Sequence, residues 1–247
     1  MNKDVIRSLV LSDIVYNEDK YKIIDGNEVK YLGFFILCNR WKESYNNIYD
    51  KNNKIYPINN SFIAFSKIDE ILYISIAGTL YNKQFLDYLN GFFSEVTELN
   101  DYCNGKYYFH TKFLEYFRNI KERLFEIIQQ NNSKRIIISG HSVGGSVAIL
   151  GALLSKLKYP SKEIIYYSFG SPSGCCNNLK LLVNNTLDIC ISYHTKRDFI
   201  PKLTPEWLFK YPGKVIILDD KELTKYKKVN EYYFYHRTKN YYYLLSK

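Results

Sequence analysis

The sequence predicts an α/β fold, a mostly parallel central sheet flanked by helices, on three observations. Residues 134–193 alternate short β-branched runs with longer apolar segments in the order strand, helix, strand, helix, strand. That alternation implies a parallel sheet with right-handed crossovers. The run Ile136-Ile137-Ile138 is apolar on both of its alternating faces, as in a strand covered on both sides. A chain of 247 residues, 46% hydrophobic and 24% charged, suits one large domain, residues 1–247, with a full core.

In chain order, residues 3–17 bring Val5, Leu9, Ile14 and Val15 to one side, the spacing of an amphipathic helix. Residues 18–60 are polar and rich in Asn, Lys and Tyr, and within them 32–38 reads as a strand. Phe62-Ile63-Ala64-Phe65 and Ile71-Leu72-Tyr73-Ile74-Ser75-Ile76 read as a hairpin around the polar link Lys67-Ile68-Asp69-Glu70. Its second strand runs out at Ala77-Gly78-Thr79. Residues 80–93, with Leu80, Tyr81, Phe85, Leu86 and Phe92, form either a core-packed helix or a lid over an apolar cleft. Residues 111–130 carry Phe113, Phe117, Ile120, Leu124 and Ile127 at helical spacing, with Thr111 as expected N-cap. Strands follow at 163–169, 187–193 and 215–218, with a buried helix ending near Lys156 before them. No internal repeat or low-complexity linker breaks the chain.

Between the strand at 136–138 and the helix after it lies Gly140-His141-Ser142-Val143-Gly144, a G-x-S-x-G pentapeptide. In a strand-to-helix setting this is the nucleophile elbow, a tight turn that lifts a serine hydroxyl clear of the sheet. The turn aims the Val143 N–H and the helix N-terminus at the place where an oxyanion would form. A serine needs a base to take its proton, and the base needs an orienting carboxylate. There are four histidines. His141 lies inside the elbow and His110 precedes a long helix, which leaves His194 and His236. The order Ser, acid, His favours Asp198 with His236. His194 could pair only with Asp188, read as mid-strand, and Asp219-Asp220 reads as a solvated turn. Gly78-Thr79 suits the second oxyanion donor: glycine permits close approach, and Thr79 offers an N–H and a hydroxyl. Thr79, Ser142, Ser171 and Asp198 all follow strand ends, where catalytic groups gather in such sheets.

The bulk numbers exclude several classes. The formal net charge is +9. Solubility and Lys-rich coding are the favoured explanation, attraction to an anionic membrane surface is the competing one, and no motif supports nucleic acid. The five cysteines, Cys38, Cys103, Cys175, Cys176 and Cys190, are odd in number and lack metal-site spacing, so free thiols are expected. No signal-peptide core and no apolar run near eighteen residues is present, which points to a cytoplasmic chain.

These landmarks together resemble the class 3 lipases, the fungal triacylglycerol lipase type of α/β-hydrolase. Phe62–Phe65 and Ile71–Thr79 are similar to the strand pair that ends in that family's F-R-G-T/S oxyanion loop, with Ala77 in place of the arginine. Phe109-His110-Thr111-Lys112-Phe113-Leu114 is similar to its V-H-x-G-F-L helix start, with Lys112 in place of a common glycine. Residues 140–145 resemble G-H-S-L-G-G, Phe169-Gly170-Ser171-Pro172 matches F-G-S-P, and Asp198-Phe199-Ile200-Pro201-Lys202-Leu203 resembles D-x-V-P-x-L. His236 holds the late position of the family histidine. The resemblance implies a serine hydrolase of acylglycerol or phospholipid esters that needs no metal or cofactor. In it Ser142, Asp198 and His236 are the catalytic set, and Thr79 with Val143 binds the oxyanion. The rival expectation is a catalytically silent protein that holds lipid or a partner, against which the intact Ser, Asp and His set argues.

Overall fold

The computed structural model describes residues 2–16, 63–78, 95–226 and 233–247, and the backbone of 23–24, 27–28 and 30–32. The chain opens with α1 (Lys3–Ile14), capped by the Asn2 side chain, which accepts from Asp4 N at 2.9 Å. A small antiparallel pair, β1 (Ile23–Ile24) and β2 (Asn27–Glu28), precedes β3 (Lys30–Leu32). The hairpin β4 (Ile63–Ile68) and β5 (Ile71–Ile76) turns at Asp69 and Glu70, both with positive φ (50° and 62°). Two left-handed residues give the turn a twist that matches that of the strands it joins. A second small ribbon, β6 (Val96–Glu98) and β7 (Tyr108–His110), leads into α2 (Thr111–Gln130).

The centre is β8 (Arg135–His141), α3 (Val143–Lys158), β9 (Glu163–Phe169), α4 (Asn177–Thr186) and β10 (Ile189–Thr195). After β10 come the edge strand β11 (Lys214–Leu218) and the terminal helix α5 (Thr238–Leu245). These elements build one seven-stranded sheet in the order β11-β10-β9-β8-β5-β4-β3. The strands from β11 to β5 run parallel, and β4 and β3 are antiparallel additions. The expected mostly parallel α/β sheet is therefore present.

Strand periodicity explains the two cores. Ile136 and Ile138 of β8, with Leu72, Ile74 and Ile76 of β5, face α2 and α3 and pack with Phe113, Phe117, Leu124, Val147 and Leu150. Ile137, Tyr73, Ile165 and Tyr167 face the other way, against Val5, Leu9 and Leu11 of α1 and Tyr241 of α5. Ile136, Ile137 and Ile138 are all 0% exposed, and full burial of each stabilises by about 1.5–3 kcal/mol. A charge anywhere in that run would break one core or the other.

Two details differ from expectation. The strand expected at 187–193 runs from Ile189 to Thr195. Leu187 caps α4, and Asp188 turns back to accept from Ile164 N at 2.8 Å and pair with Lys156 at 2.9 Å, so pairing starts later. His110, not Thr111, is the N-cap of α2, and the Thr111 hydroxyl is engaged with that of Thr97 at 3.0 Å. Of the strand expected at 32–38 only its first residue is described, as the end of β3. The segment 80–93, expected as helix or lid, lies outside the described residues. Cys103, Cys175, Cys176 and Cys190 are free thiols. Among the described residues no helix is long and apolar enough to cross a membrane, and no cluster of His, Cys, Asp and Glu could hold a metal ion.

Candidate active site

Ser142 stands between the last residue of β8 and the first of α3, with φ 58° and ψ −138°. An L-residue adopts such a φ only when its surroundings enforce it, at a cost of about 1–3 kcal/mol. The enforcement is steric and local. A Cβ on Gly140 would overlap the Gly144–Gly145 backbone, and one on Gly144 would overlap Ile76 and Ala77 at the end of β5. With glycine at both positions the strand can turn directly into the helix. Ser142 N donates to Phe169 O at 3.0 Å, and Gly145 N donates to Ser142 O at 3.0 Å, which locks the bend. Val143 is the first residue of α3, so its N–H has no intrahelical acceptor and carries the positive end of the helix dipole.

The next residue after Phe169 is Gly170, and it sits against the acid and the imidazole. A Cβ at Gly170 would lie 2.7 Å from Asp198 Oδ2 and 2.8 Å from His236 Nδ1. Asp198 and His236 are joined directly, Nδ1 to Oδ2, at 2.7 Å, and both are 1% exposed. Because a carboxylate only accepts, Nδ1 carries the proton and Nε2 presents a lone pair. The other ligands of the carboxylate are Tyr241 Oη, donating to Oδ2 at 2.7 Å, and Ile200 N, donating to Oδ1 at 3.0 Å. Burial alone would raise the Asp198 pKa, but the adjacent imidazole and these donors hold it below the usual carboxylate range.

The alternatives fall elsewhere. His194 does not bond to Asp198. Its ring stands edge-on to Tyr211, centroids 4.8 Å apart, and its buried Nε2 has no hydrogen-bond partner among the described residues. Asp220, expected in a solvated turn, is 0% exposed. It accepts from Arg197 N at 2.7 Å and from the Arg197 guanidinium at 3.1 Å. Its partner Arg197 is adjacent to Asp198 in the chain, so Asp220 is drawn in from solvent and braces the loop that carries the acid.

His141 has a role that its place in the elbow did not reveal. Its Nε2 lies 2.6 Å from His236 O, a group that can only accept, so Nε2 is protonated. The ring stays neutral at ordinary pH: burial and then the neighbouring His236 lower its pKa to about 3. Nδ1 is therefore an acceptor, and Tyr16 Oη donates to it at 2.9 Å. The same Tyr16 oxygen accepts from Gly78 N at 3.1 Å. One line of hydrogen bonds thus runs from the end of β5 through Tyr16, two residues past α1, and the elbow to the carbonyl of His236. Tyr116 Oη donates to Ala77 O at 2.6 Å and holds the other side of the same Ala77–Gly78 peptide. Thr79, the expected second oxyanion donor, lies outside the described residues.

Removing the Tyr16 hydroxyl tests that line. Tyr16→Phe would leave Gly78 N–H and His141 Nδ1 buried without their partner, each costing about 1–3 kcal/mol. Under the hydrolase expectation drawn from the sequence, kcat on an ester should fall by about tenfold to a hundredfold with KM little changed, because alignment and not ground-state binding is lost. Steady-state kinetics on a soluble ester checks this. Unchanged kcat would remove Tyr16 from the site.

Acid lability is a second consequence. Burial lowers the His194 pKa to about 4, and that of His141 to about 3. Below about pH 6.5 the unfolded chain protonates both imidazoles and the folded protein does not. Stability is thus fully present above pH 6.5 and drains away as pH falls toward 4 and then 3. The His194 part is on the order of 3 kcal/mol. Urea midpoints measured between pH 7 and pH 4 should fall steadily, and His194→Gln should flatten that slope.

A family model described as Lipase (class 3) matches residues 73–207. Among solved structures, the Rhizomucor miehei lipase–propeptide complex superposes with a TM-score of 0.66 at 15% identity, covering 90% of this chain and 69% of that one. A lipase from Rhizopus microsporus var. chinensis gives 0.67 at 16% identity, covering 88% and 75%. A triacylglycerol lipase from Penicillium expansum gives 0.64 at 14% identity, covering 89% and 80%. At such identities the structures establish the α/β-hydrolase-type fold, while the family model spans more than half of the sequence. With that match running from within β5 through the elbow to the loop beyond Asp198, this chain belongs to the class 3 lipase family.

Proposed function

We propose that the protein is a serine ester hydrolase acting on lipid acyl esters, acylglycerol or phospholipid, through an acyl-enzyme. The observation that carries this reading is the buried Asp198–His236 pair at 2.7 Å, held at the Phe169–Gly170 link that also accepts the Ser142 amide. Ser142 Oγ attacks the acyl carbonyl while His236 Nε2 takes its proton. Asp198 stabilises the imidazolium that forms. His236 then returns the proton to the leaving alcohol oxygen as the ester C–O bond breaks, leaving the acyl group on Ser142. Water attacks the acyl-enzyme, His236 takes a proton from it, and collapse releases the fatty acid and restores the serine.

The negative charge that develops on the carbonyl oxygen needs two donors. Val143 N–H is one. Gly78 N–H is committed to Tyr16, so the amide and hydroxyl of Thr79, next in the chain, supply the second. Membership of the family supports lipase chemistry, and the acyl chains such substrates carry fit the aromatic composition of the chain, with 25 Tyr and 15 Phe.

A fluorophosphonate probe tests the proposal, because it reacts with serines activated by a neighbouring base. Covalent labelling should map to Ser142 by peptide mass spectrometry. Lipid retention without labelling would replace the hydrolase by a lipid-binding protein.

A further inference from the structure

The rim that carries the site also carries an exposed indole. Trp207 is 75% exposed, more than any other large apolar side chain among the described residues. It does not sit on a loose loop. Leu208 N and Phe209 N both donate to Pro205 O, at 3.0 and 2.9 Å, closing a tight turn with Glu206 and Trp207 at its tip. Phe209, 2% exposed, anchors the turn against the His110 ring, centroids 5.2 Å apart. Lys210 N donates to Cys175 O at 2.7 Å, and Tyr211 Oη donates to Ser171 O at 2.9 Å and Pro201 O at 2.7 Å. The turn is therefore fastened to the loops that follow β9 and β10, the same loops that hold Gly170 and Asp198.

A rigid turn that holds an indole in water gains nothing from it in packing. Tryptophan has an apolar body and one N–H donor, a combination that favours the boundary between lipid headgroups and acyl chains. The charges point to the kind of lipid. Lys202 is exposed and Lys210 half-buried, each next in the chain to a residue of the Tyr211–Pro201 hydrogen bond, and Glu206 is the exposed acid of the turn; Lys196, also exposed, lies past the end of β10 where the strand register puts the exposed Asp219 beside it. The chain as a whole carries +9. Basic groups near an anionic bilayer are attracted over about a Debye length.

We propose that the turn at 205–209 is a membrane-docking element, with Trp207 entering the headgroup region of an anionic lipid surface and Lys202 and Lys210 meeting its phosphates. Docked there, the rim bearing Ser142 faces the layer in which acyl esters lie. The orientation rests on the hydrolase reading; the docking does not.

The test uses the full chain with Ser142→Ala, so that lipid is not consumed, and vesicles of phosphatidylcholine with or without one-third phosphatidylglycerol. With Trp41→Phe added, Trp207 is the one tryptophan left. Its emission should shift to the blue and be quenched by brominated acyl chains on the anionic vesicles. Sedimentation should show Trp207→Ala partitioning about tenfold more weakly than its parent, with Trp207→Phe in between. High salt should weaken parent and variant alike. Equal partitioning of Trp207→Ala and its parent would overturn the proposal. So would indifference to phosphatidylglycerol, or a blue shift on raising protein concentration without vesicles, which would make the turn a contact between copies. In the otherwise wild-type chain, Trp207→Ala should leave turnover of a monomeric short-chain ester unchanged. Absence of such turnover in the wild type would sink the hydrolase reading while the vesicle result still stood.

Discussion

Ser142→Ala should lower ester turnover by about a millionfold while leaving the protein folded. The two effects separate because the substitution keeps the Cβ and deletes only the oxygen. Alanine meets the same steric constraint as serine at φ 58°, and no hydrogen bond that locks the bend uses the side chain. What is lost is the atom that must carry the acyl group. The proposed oxyanion donors are not touched by the change, so a residual rate of about a thousandfold over water is expected, with KM close to the wild-type value. Ser142→Gly makes the complementary point. Glycine adopts a positive φ without strain, so that variant should be equally inactive yet more stable, by about 1 kcal/mol in urea unfolding. Activity within tenfold of wild type in either variant would mean that the nucleophile is elsewhere.

Much of the geometry of the candidate site was legible because its signals are local. The glycines around Ser142 and the β-branched run before it are a few residues apart, and backbone sterics couple them whatever the rest of the chain does. The order of acid and histidine along the chain was legible for a related reason, since the strand order of such sheets dictates it. The clamps were not. Tyr16 and Tyr241 reach the site from opposite ends of the sequence, and among 25 tyrosines neither carries a distinguishing neighbour. Asp220 looked solvated because nothing in Asp219-Asp220 tells that Arg197 will fold back onto it. Asp188 looked like strand because its side-chain bond to Ile164 N depends on a neighbouring strand 24 residues away. Pattern reveals what a segment wants to bury; it does not reveal which polar groups meet once segments are stacked.

That distinction governs the expected behaviour of Asp198→Asn, a nearly isosteric change that should cost about ten thousandfold in kcat. Every group around the carboxylate is a donor: His236 Nδ1 and Tyr241 Oη on Oδ2, Ile200 N on Oδ1. An amide brings two hydrogens of its own, so one oxygen position becomes a donor facing a donor. Ile200 N–H is fixed in the backbone and cannot adapt. His236 can, by moving its proton to Nε2 and accepting at Nδ1. That tautomer satisfies the amide and ruins the base, because the nitrogen that must take the serine proton already holds one. The carboxylate charge that would stabilise the imidazolium is gone as well. Tyr241→Phe removes one donor but keeps both charge and tautomer, so its loss should be smaller by at least about a hundredfold. Measuring kcat for the pair decides between a carboxylate that sets the state of His236 and one that merely fills space. If the two variants lose activity equally, the aspartate is packing and the general base must be sought at another residue.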